Sequence, residues 1–355
     1  MKIFRSGDQQ RSESPGRWVV LSDGARPTED LYFFSCVSGP FREQLALDAG
    51  RVDTRSRWQA KYFRPHRLFG ANILICRSLP EVWIELLESH RAKVAQIVYL
   101  FDDDFAAGAR SDDLPSAYRE RLGRIMREQW SRLLNLADEV VVTSRALASR
   151  FSDAHKNISL LEPPMIFPAA GTEHFDSQEF VCSFHGTRAH ARDLLHIATA
   201  IECILDSNKS VRLRSALGRF TPARLRAADR VDCVEPMSWS RFKKYLVRQR
   251  IHVGLVPLLD TPFNGGKSYV KFLEIAAMGG VGIFSRRPPY VDIVEHGVDG
   301  LLVDDNPASW VDVIQGLVED RSKVRRMAEA AAAKAIDLGN PEIVRSFWSK
   351  RSTTR

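Results

Sequence analysis

Short apolar runs alternate with longer amphipathic stretches along most of the chain. Runs rich in β-branched and aromatic residues predict strands at Trp18–Leu21, Tyr32–Val37, Ala71–Cys76, Gln96–Phe101, Glu139–Thr143 and Ile158–Leu161. Between Leu114 and Ala137 the apolar positions 114, 118, 122, 125, 126, 130, 133 and 137 trace one helical face. Pro80–Lys93 follows the same rule and opens on proline, which suits a first helical turn. The pattern breaks at Glu162–Gln178, where three prolines and a glycine predict a linker. It then resumes. Strands are predicted at Phe180–Phe184, Val211–Leu217, Val231–Val234, Ile251–Pro257, Val281–Ser285 and Gly300–Val303. Helices are predicted at Ala191–Asp206, Pro222–Ala228, Trp239–Arg248, Ser268–Met278, from Pro289, at Ala308–Glu319, Ser322–Ile336 and near Glu342–Ser349.

Alternating strands and helices on either side of a proline-rich linker predict an α/β protein of two facing Rossmann-like domains with parallel sheets. Their expected limits are 17–165 and 178–338. Residues 339–355 form a last helix and tail expected to pack back on the first domain. Runs such as VVVTS and VGLVPL read as strands buried on both faces. Ligands of such sheets sit at the carboxyl ends of the strands, so the expected site is the cleft between the domains.

Composition narrows the partner. The 355 residues carry 51 Lys plus Arg against 44 Asp plus Glu, a net charge of +7, and only 12 of the cations are lysine. An arginine-rich excess suits phosphate or carboxylate groups. No nucleic-acid motif accompanies it and the cations are interspersed with acids, which argues against nucleic acid. No apolar stretch approaches a membrane span, and residues 1–16 are polar without the apolar core of a secretory signal. Cys36, Cys76, Cys182, Cys203 and Cys233 are scattered without ligand spacing. They read as free thiols of a cytoplasmic protein rather than a zinc site.

The most informative stretch follows the strand ending at Pro257. A loop with Asn264, Gly265 and Gly266 enters a helix whose first turn carries Lys267 and Ser268. Free backbone N–H groups there favour an anion. Lys267 and Lys271 share a face, and Glu274 lies three residues further on. Two cations followed by a carboxylate match a ligand with a phosphate end and a hydroxyl end. The plain alternative is a Lys271–Glu274 surface pair. A second station, FHGTRAHARD, places Gly186, Thr187, Arg188, His190 and Arg192 between a strand and a helix that Asp193 would cap. In the first half a strand runs into Asp102, Asp103 and Asp104. These admit three readings: a metal-binding Asp-x-Asp, a base or oxocarbenium stabiliser, or a solvated loop with a helix cap. The phosphate-binding features lie in the other domain, so the metal reading ranks last. Arg77, His66 and Ser144 lie near predicted cleft edges and read as structural.

These residues resemble the two-domain GT-B glycosyltransferases of the group 1 (family 4) type, over about Phe180–Ala335 and more weakly over 70–165. Glu274, followed by IAAMGGVGIFS, falls at the second Glu of that family's Glu–seven residues–Glu pattern. Position 266, where the first would stand, is Gly. PYVDIVEHGVDGLLVDD resembles the family's Gly-Leu-Leu-Val strand. The resemblance implies a retaining, metal-independent sugar transfer from a nucleotide-diphosphate sugar to a glycan or lipid-linked acceptor. It implies no bound cofactor. It gives donor-binding roles to Gly186, Thr187, His190, Arg192, Asn264, Lys267, Lys271 and Glu274, and places the acceptor on the first domain. Asp103 and Asp104 are the candidate catalytic carboxylates. Cell-envelope polysaccharide synthesis at the inner membrane face fits the basic surface. A catalytically inactive sugar-nucleotide binder on the same scaffold is the alternative that Gly266 motivates.

Overall fold

The computed structural model describes residues 16–37 and 48–352, so almost all of the polar stretch 1–16 lies outside the described residues. Strands β1 (Trp18–Ser22), β2 (Ala49–Asp53), β3 (Asn72–Cys76), β4 (Gln96–Phe101), β5 (Glu139–Val142) and β6 (Ile158–Leu160) form one sheet in the order β2-β1-β3-β4-β5-β6. Strands β7 (Phe180–Phe184), β8 (Val211–Ser215), β9 (Val231–Cys233), β10 (Val253–Val256), β11 (Val281–Ser285) and β12 (Gly300–Val303) form the second, ordered β12-β11-β10-β7-β8-β9. Every strand pair is parallel. Parallel strands need helical crossovers, which cover both faces. Accordingly every residue of β1, β3, β5, β7, β10, β11 and β12 is buried.

The strand order fixes where a ligand can enter. In each sheet the chain reverses its winding direction once, between β1 and β3 in the first and between β7 and β10 in the second. Loops leaving neighbouring strands at such a point diverge and leave a crevice at the carboxyl ends.

One local expectation fails for a physical reason, and one strand escapes the sequence pattern. Tyr32–Val37 is helical rather than a strand: Arg26–Glu29, Asp30–Phe34 and Ser35–Val37 form successive helical segments that begin with Pro27 in the first turn. Tyr32, Phe33 and Cys36 are buried at helical spacing, against Trp18 and the C-terminal Trp348. A continuous apolar run has no periodicity to betray this, so long-range packing decides. Strand β2 (AGRVD) escapes the apolar pattern because it is a partly exposed edge strand. The 114–137 stripe is a helix in three parts, Ser116–Arg124, the wider π-helical turn Ile125–Gln129, and Trp130–Leu136. The residues 162–178 carry one turn of 3₁₀ helix, Glu173–Asp176.

The last helix, Pro341–Ser349, lies on the first domain. Asn340 caps it by accepting from the Glu342 N–H at 2.9 Å, with Pro341 in the first turn. Trp348 packs edge-on against Trp18 and Phe33, at centroid separations of 5.2 and 5.1 Å, and donates its indole N–H to Tyr32 O at 2.7 Å. Arg351 pairs with Glu139 at the foot of β5. The chain thus crosses between the domains twice, and Met165 N–H to Gly339 O at 2.7 Å ties the two crossings together.

Candidate active site

The two switch points face each other across a cleft of about 740 Å³. From the first domain it is lined by the loops after β1, β3 and β4, with Thr28, Arg77, Asp102 and Asp103, and by Tyr118 and Arg121. From the second it is lined by the loop after β7 (His185, Thr187, Arg188, His190), the end of β10, and Lys267, Lys271 and Glu274.

Lys267 lies on the turn before helix Val270–Ala277, and Lys271 and Glu274 lie within it. Its buried face (Phe272, Leu273, Ile275, Ala276) grips the second-domain core, which leaves these side chains toward the cleft. Lys271 Nζ donates to Glu274 Oε2 at 2.5 Å, and Glu274 is only 8% exposed. The pair is therefore not a solvated surface bridge. His185 lines the same wall; burial, then the charges of Lys271 and Arg214, push its pKa down to about 3, so it is neutral at physiological pH.

Lys267 reaches across the cleft. Its ammonium donates to Asp103 Oδ1 at 2.6 Å and lies 4.2 Å from the Phe263 ring centroid. Asp103 Oδ2 accepts from Arg77 Nη1 at 2.9 Å and from the Tyr118 hydroxyl at 3.2 Å. Burial opposes the Asp103 charge, but Lys267 and Arg77 outweigh it and hold its pKa below the usual carboxylate range. Arg77 also pairs with Asp102, which accepts from Thr28 Oγ1 at 2.7 Å. Arg77 is the one non-glycine residue with positive φ (68°) among the described residues, a strained conformation at the β1/β3 switch point. Its carbonyl is fixed by the Tyr99 hydroxyl at 2.9 Å.

The predicted site residues separate into two groups. Thr187, His190, Lys267, Lys271, Glu274 and Asp103 line the cleft together. Four others stand elsewhere. Asp104, expected as a cleft carboxylate, instead caps helix Phe105–Arg110, accepting from Ala107 N–H at 2.8 Å, and is paired with Arg150. As the N-cap of that helix, Asp104 turns its carboxylate onto the helix's free N–H groups and away from the cleft. Asn264, expected to touch donor, is buried and donates to Asp193 Oδ1 at 3.1 Å and Leu259 O at 3.0 Å. Arg192 is exposed and pairs with Asp113 at 2.9 Å; Arg188 is the cleft-lining arginine of that loop. Gly186 is not itself on the wall, and a side chain there would press within 2.8 Å of Phe184.

Asp193 organises this loop. It accepts from His190 Nδ1 at 2.8 Å and from Leu259 N–H at 2.9 Å, besides Asn264. Gly266 packs against the first domain. A Cβ there would stand 3.2 Å from Leu147 and 3.3 Å from Asp104, and its carbonyl accepts from Ser144 Oγ at 2.8 Å. A side chain at 266 would press on that contact, which would have to give by a few tenths of an ångström. Arg77, expected near a cleft edge as a structural residue, lines the cleft, whereas Tyr118, Thr28 and His185 had no distinguishing pattern in the sequence. Among the described residues no group of three or more His, Cys, Asp or Glu is arranged to hold a metal ion, and no helix is long and apolar enough to cross a membrane.

No protein-family model matches the chain, and no curated protein matches it by sequence. Solved structures do match in three dimensions. HepE from Anabaena, in complex with UDP and glucose, superposes with a TM-score of 0.65 at 12% identity, over 95% of this chain and 99% of its own. Sucrose-phosphate synthase from Thermosynechococcus elongatus gives 0.64 at 15%, over 95% and 98%. A glycosyltransferase from Rickettsia africae gives 0.58 at 11%, over 95% and 98%. The chain has the GT-B fold of these glycosyltransferases.

Proposed function

We propose that the protein transfers a sugar from a nucleotide-diphosphate sugar to a glycan or lipid-linked acceptor. The observation that carries this reading is the chemistry of the second-domain wall: Lys267, Lys271 and Arg188 converge on one cleft with the carboxylate of Glu274, at the β7/β10 switch point. The cations take up the charge that develops on the diphosphate as the glycosidic C–O bond breaks. Glu274 accepts hydrogen bonds from the ribose hydroxyls. Arg188 replaces Arg192 in the phosphate role, and Asn264 acts through Asp193 by shaping the loop. The acceptor enters on the first-domain side, beside Tyr118 and Arg121, where Asp103 faces the transferring sugar. No step calls for a metal, because lysine and arginine supply the positive charge.

The UDP and glucose bound to HepE, and the resemblance around Glu274, support this reading. Retention of anomeric configuration, cell-envelope polysaccharide synthesis, and a cytoplasmic location with the acceptor at an anionic membrane face complete it. Incubation with UDP-, GDP- and ADP-sugars tests it: release of nucleoside diphosphate above the buffer rate is the expected result. A second reading, binding without turnover, is favoured by Gly266 and by the pairing of both Asp102 and Asp103 with Arg77. Tight nucleotide binding with no sugar transfer to any acceptor selects it.

A further inference from the structure

We propose that Asp103 holds Lys267 in the place of the donor phosphate, and that donor binding exchanges Lys267 from Asp103 to the diphosphate. The inference rests on the diphosphate reading of the cleft and adds a device to it.

Four observations carry it. First, the two oxygens of Asp103 are divided. Oδ2 is held within its own domain by Arg77 and Tyr118, while Oδ1 accepts only Lys267 among the described residues. Losing Lys267 would leave the carboxylate still charge-paired and anchored. Second, the Lys267 backbone does not have to move. Ser144 holds Gly266 O and Arg150 holds Pro262 O, both at 2.8 Å, so the turn stays docked on the first domain while the lysine chain swings. Third, the Phe263 ring lies 4.2 Å from the ammonium and gives the charge a second partner besides Asp103. Fourth, the pair is poorly screened, with side chains only 19% and 10% exposed. It therefore competes with a ligand more strongly than a surface bridge would.

An internal anion that occupies Lys267 weakens ligand binding by the fraction of time it holds the lysine. Occupancy of nine-tenths raises the apparent Kd about tenfold. The exchange also turns Asp103 Oδ1 toward the sugar only when donor is present, which ties readiness for transfer to donor binding.

The test is calorimetric titration of UDP and GDP into the full chain and into Asp103→Asn, with donor KM and kcat measured alongside. The expected result is about tenfold tighter nucleotide binding in Asp103→Asn, with donor KM and kcat both lowered. That gain should vanish in a Lys267→Gln background. A loss of packing alone would instead weaken binding and lower Tm together. Equal or weaker binding by a folded Asp103→Asn protein overturns the inference while leaving the diphosphate site intact. Failure of the unmodified protein to bind any nucleoside diphosphate overturns the functional reading itself. Should Asp103→Asn not fold, the unmodified protein labelled at lysine Cε decides by NMR, with Lys267 assigned by its loss in Lys267→Gln. Its signal shifts at saturating UDP if the lysine changes partner, and an unmoved signal overturns the exchange.

Discussion

Replacing Glu274 by Gln removes one charge from the cleft and almost no volume. The carboxylate is nearly enclosed, sits on a well-packed helix, and is aimed by Lys271 at 2.5 Å. In the proposed complex it accepts from two ribose hydroxyls. Hydrogen bonds to a charged group contribute about 1.5–3 kcal/mol each. The amide keeps one neutral acceptor, so the expected loss is about 2–4 kcal/mol, or roughly 30- to 1000-fold in nucleotide affinity. The fold should tolerate the change. Lys271 keeps access to water, with 27% of its side chain exposed, and the amide oxygen of a glutamine can still accept from it. Titration calorimetry with UDP and GDP reads the affinity, and thermal melting reads the fold. The more drastic Glu274→Ala should abolish donor use with the fold intact. A Glu274→Gln protein that binds nucleotide as tightly as the parent would refute the assignment of Glu274 to the ribose.

Chelation should leave transfer unchanged, because in the proposed complex side chains meet the phosphate charge; a strict manganese requirement in a transfer assay would return Asp102 and Asp103 to the metal reading. Stability should fall as pH drops from about 6.5. His185 and His252 are buried with pKa values lowered to about 3, mainly by burial, so the unfolded chain takes up protons that the folded one refuses. Each contributes a slope of up to about 1.4 kcal/mol per pH unit below the unfolded pKa, fully relieved above it; urea midpoints that stay flat between pH 6.5 and 4.5 would contradict this. Trp348→Ala should destabilise the first domain by about 3–5 kcal/mol, since it empties a ring site shared with Trp18 and Phe33. Denaturant melts followed by first-domain fluorescence would show that loss, and an unchanged midpoint would mean the last helix is not part of that core.

The second domain was more legible than the first. Phe180–Phe184, Trp239–Arg248, Val281–Ser285 and Gly300–Val303 have the limits their patterns predict, because each is set off by turn or capping residues. In the first domain, the Tyr32 segment takes its helical form from Trp348, more than three hundred residues away, and no local window contains that contact. The cleft wall was legible where local spacing carried the information, as for Lys271 and Glu274 on one helix and Lys267 on the turn before it. It was illegible where the fold brings distant residues together. Arg77 owes its place to a positive φ at a strand end, and Tyr118 to a helix folded over that strand. The run Asp102–Asp104 announced chemistry, but the helix that starts at Phe105 takes Asp104 as its cap and leaves Asp102 and Asp103 to the cleft. Gly266 read as a missing acid; in the structure it is a point of close approach between domains, where a side chain would press on Leu147 and Asp104.

Everything in the functional account depends on a nucleotide's diphosphate lying against the lysines at the β7/β10 crevice. A crystal structure with UDP or GDP bound measures this directly. The account predicts phosphate oxygens within hydrogen-bonding distance of Lys267 and Lys271 and the ribose on Glu274. A nucleotide bound elsewhere, with Lys267 still on Asp103 and Lys271 still on Glu274, would contradict it.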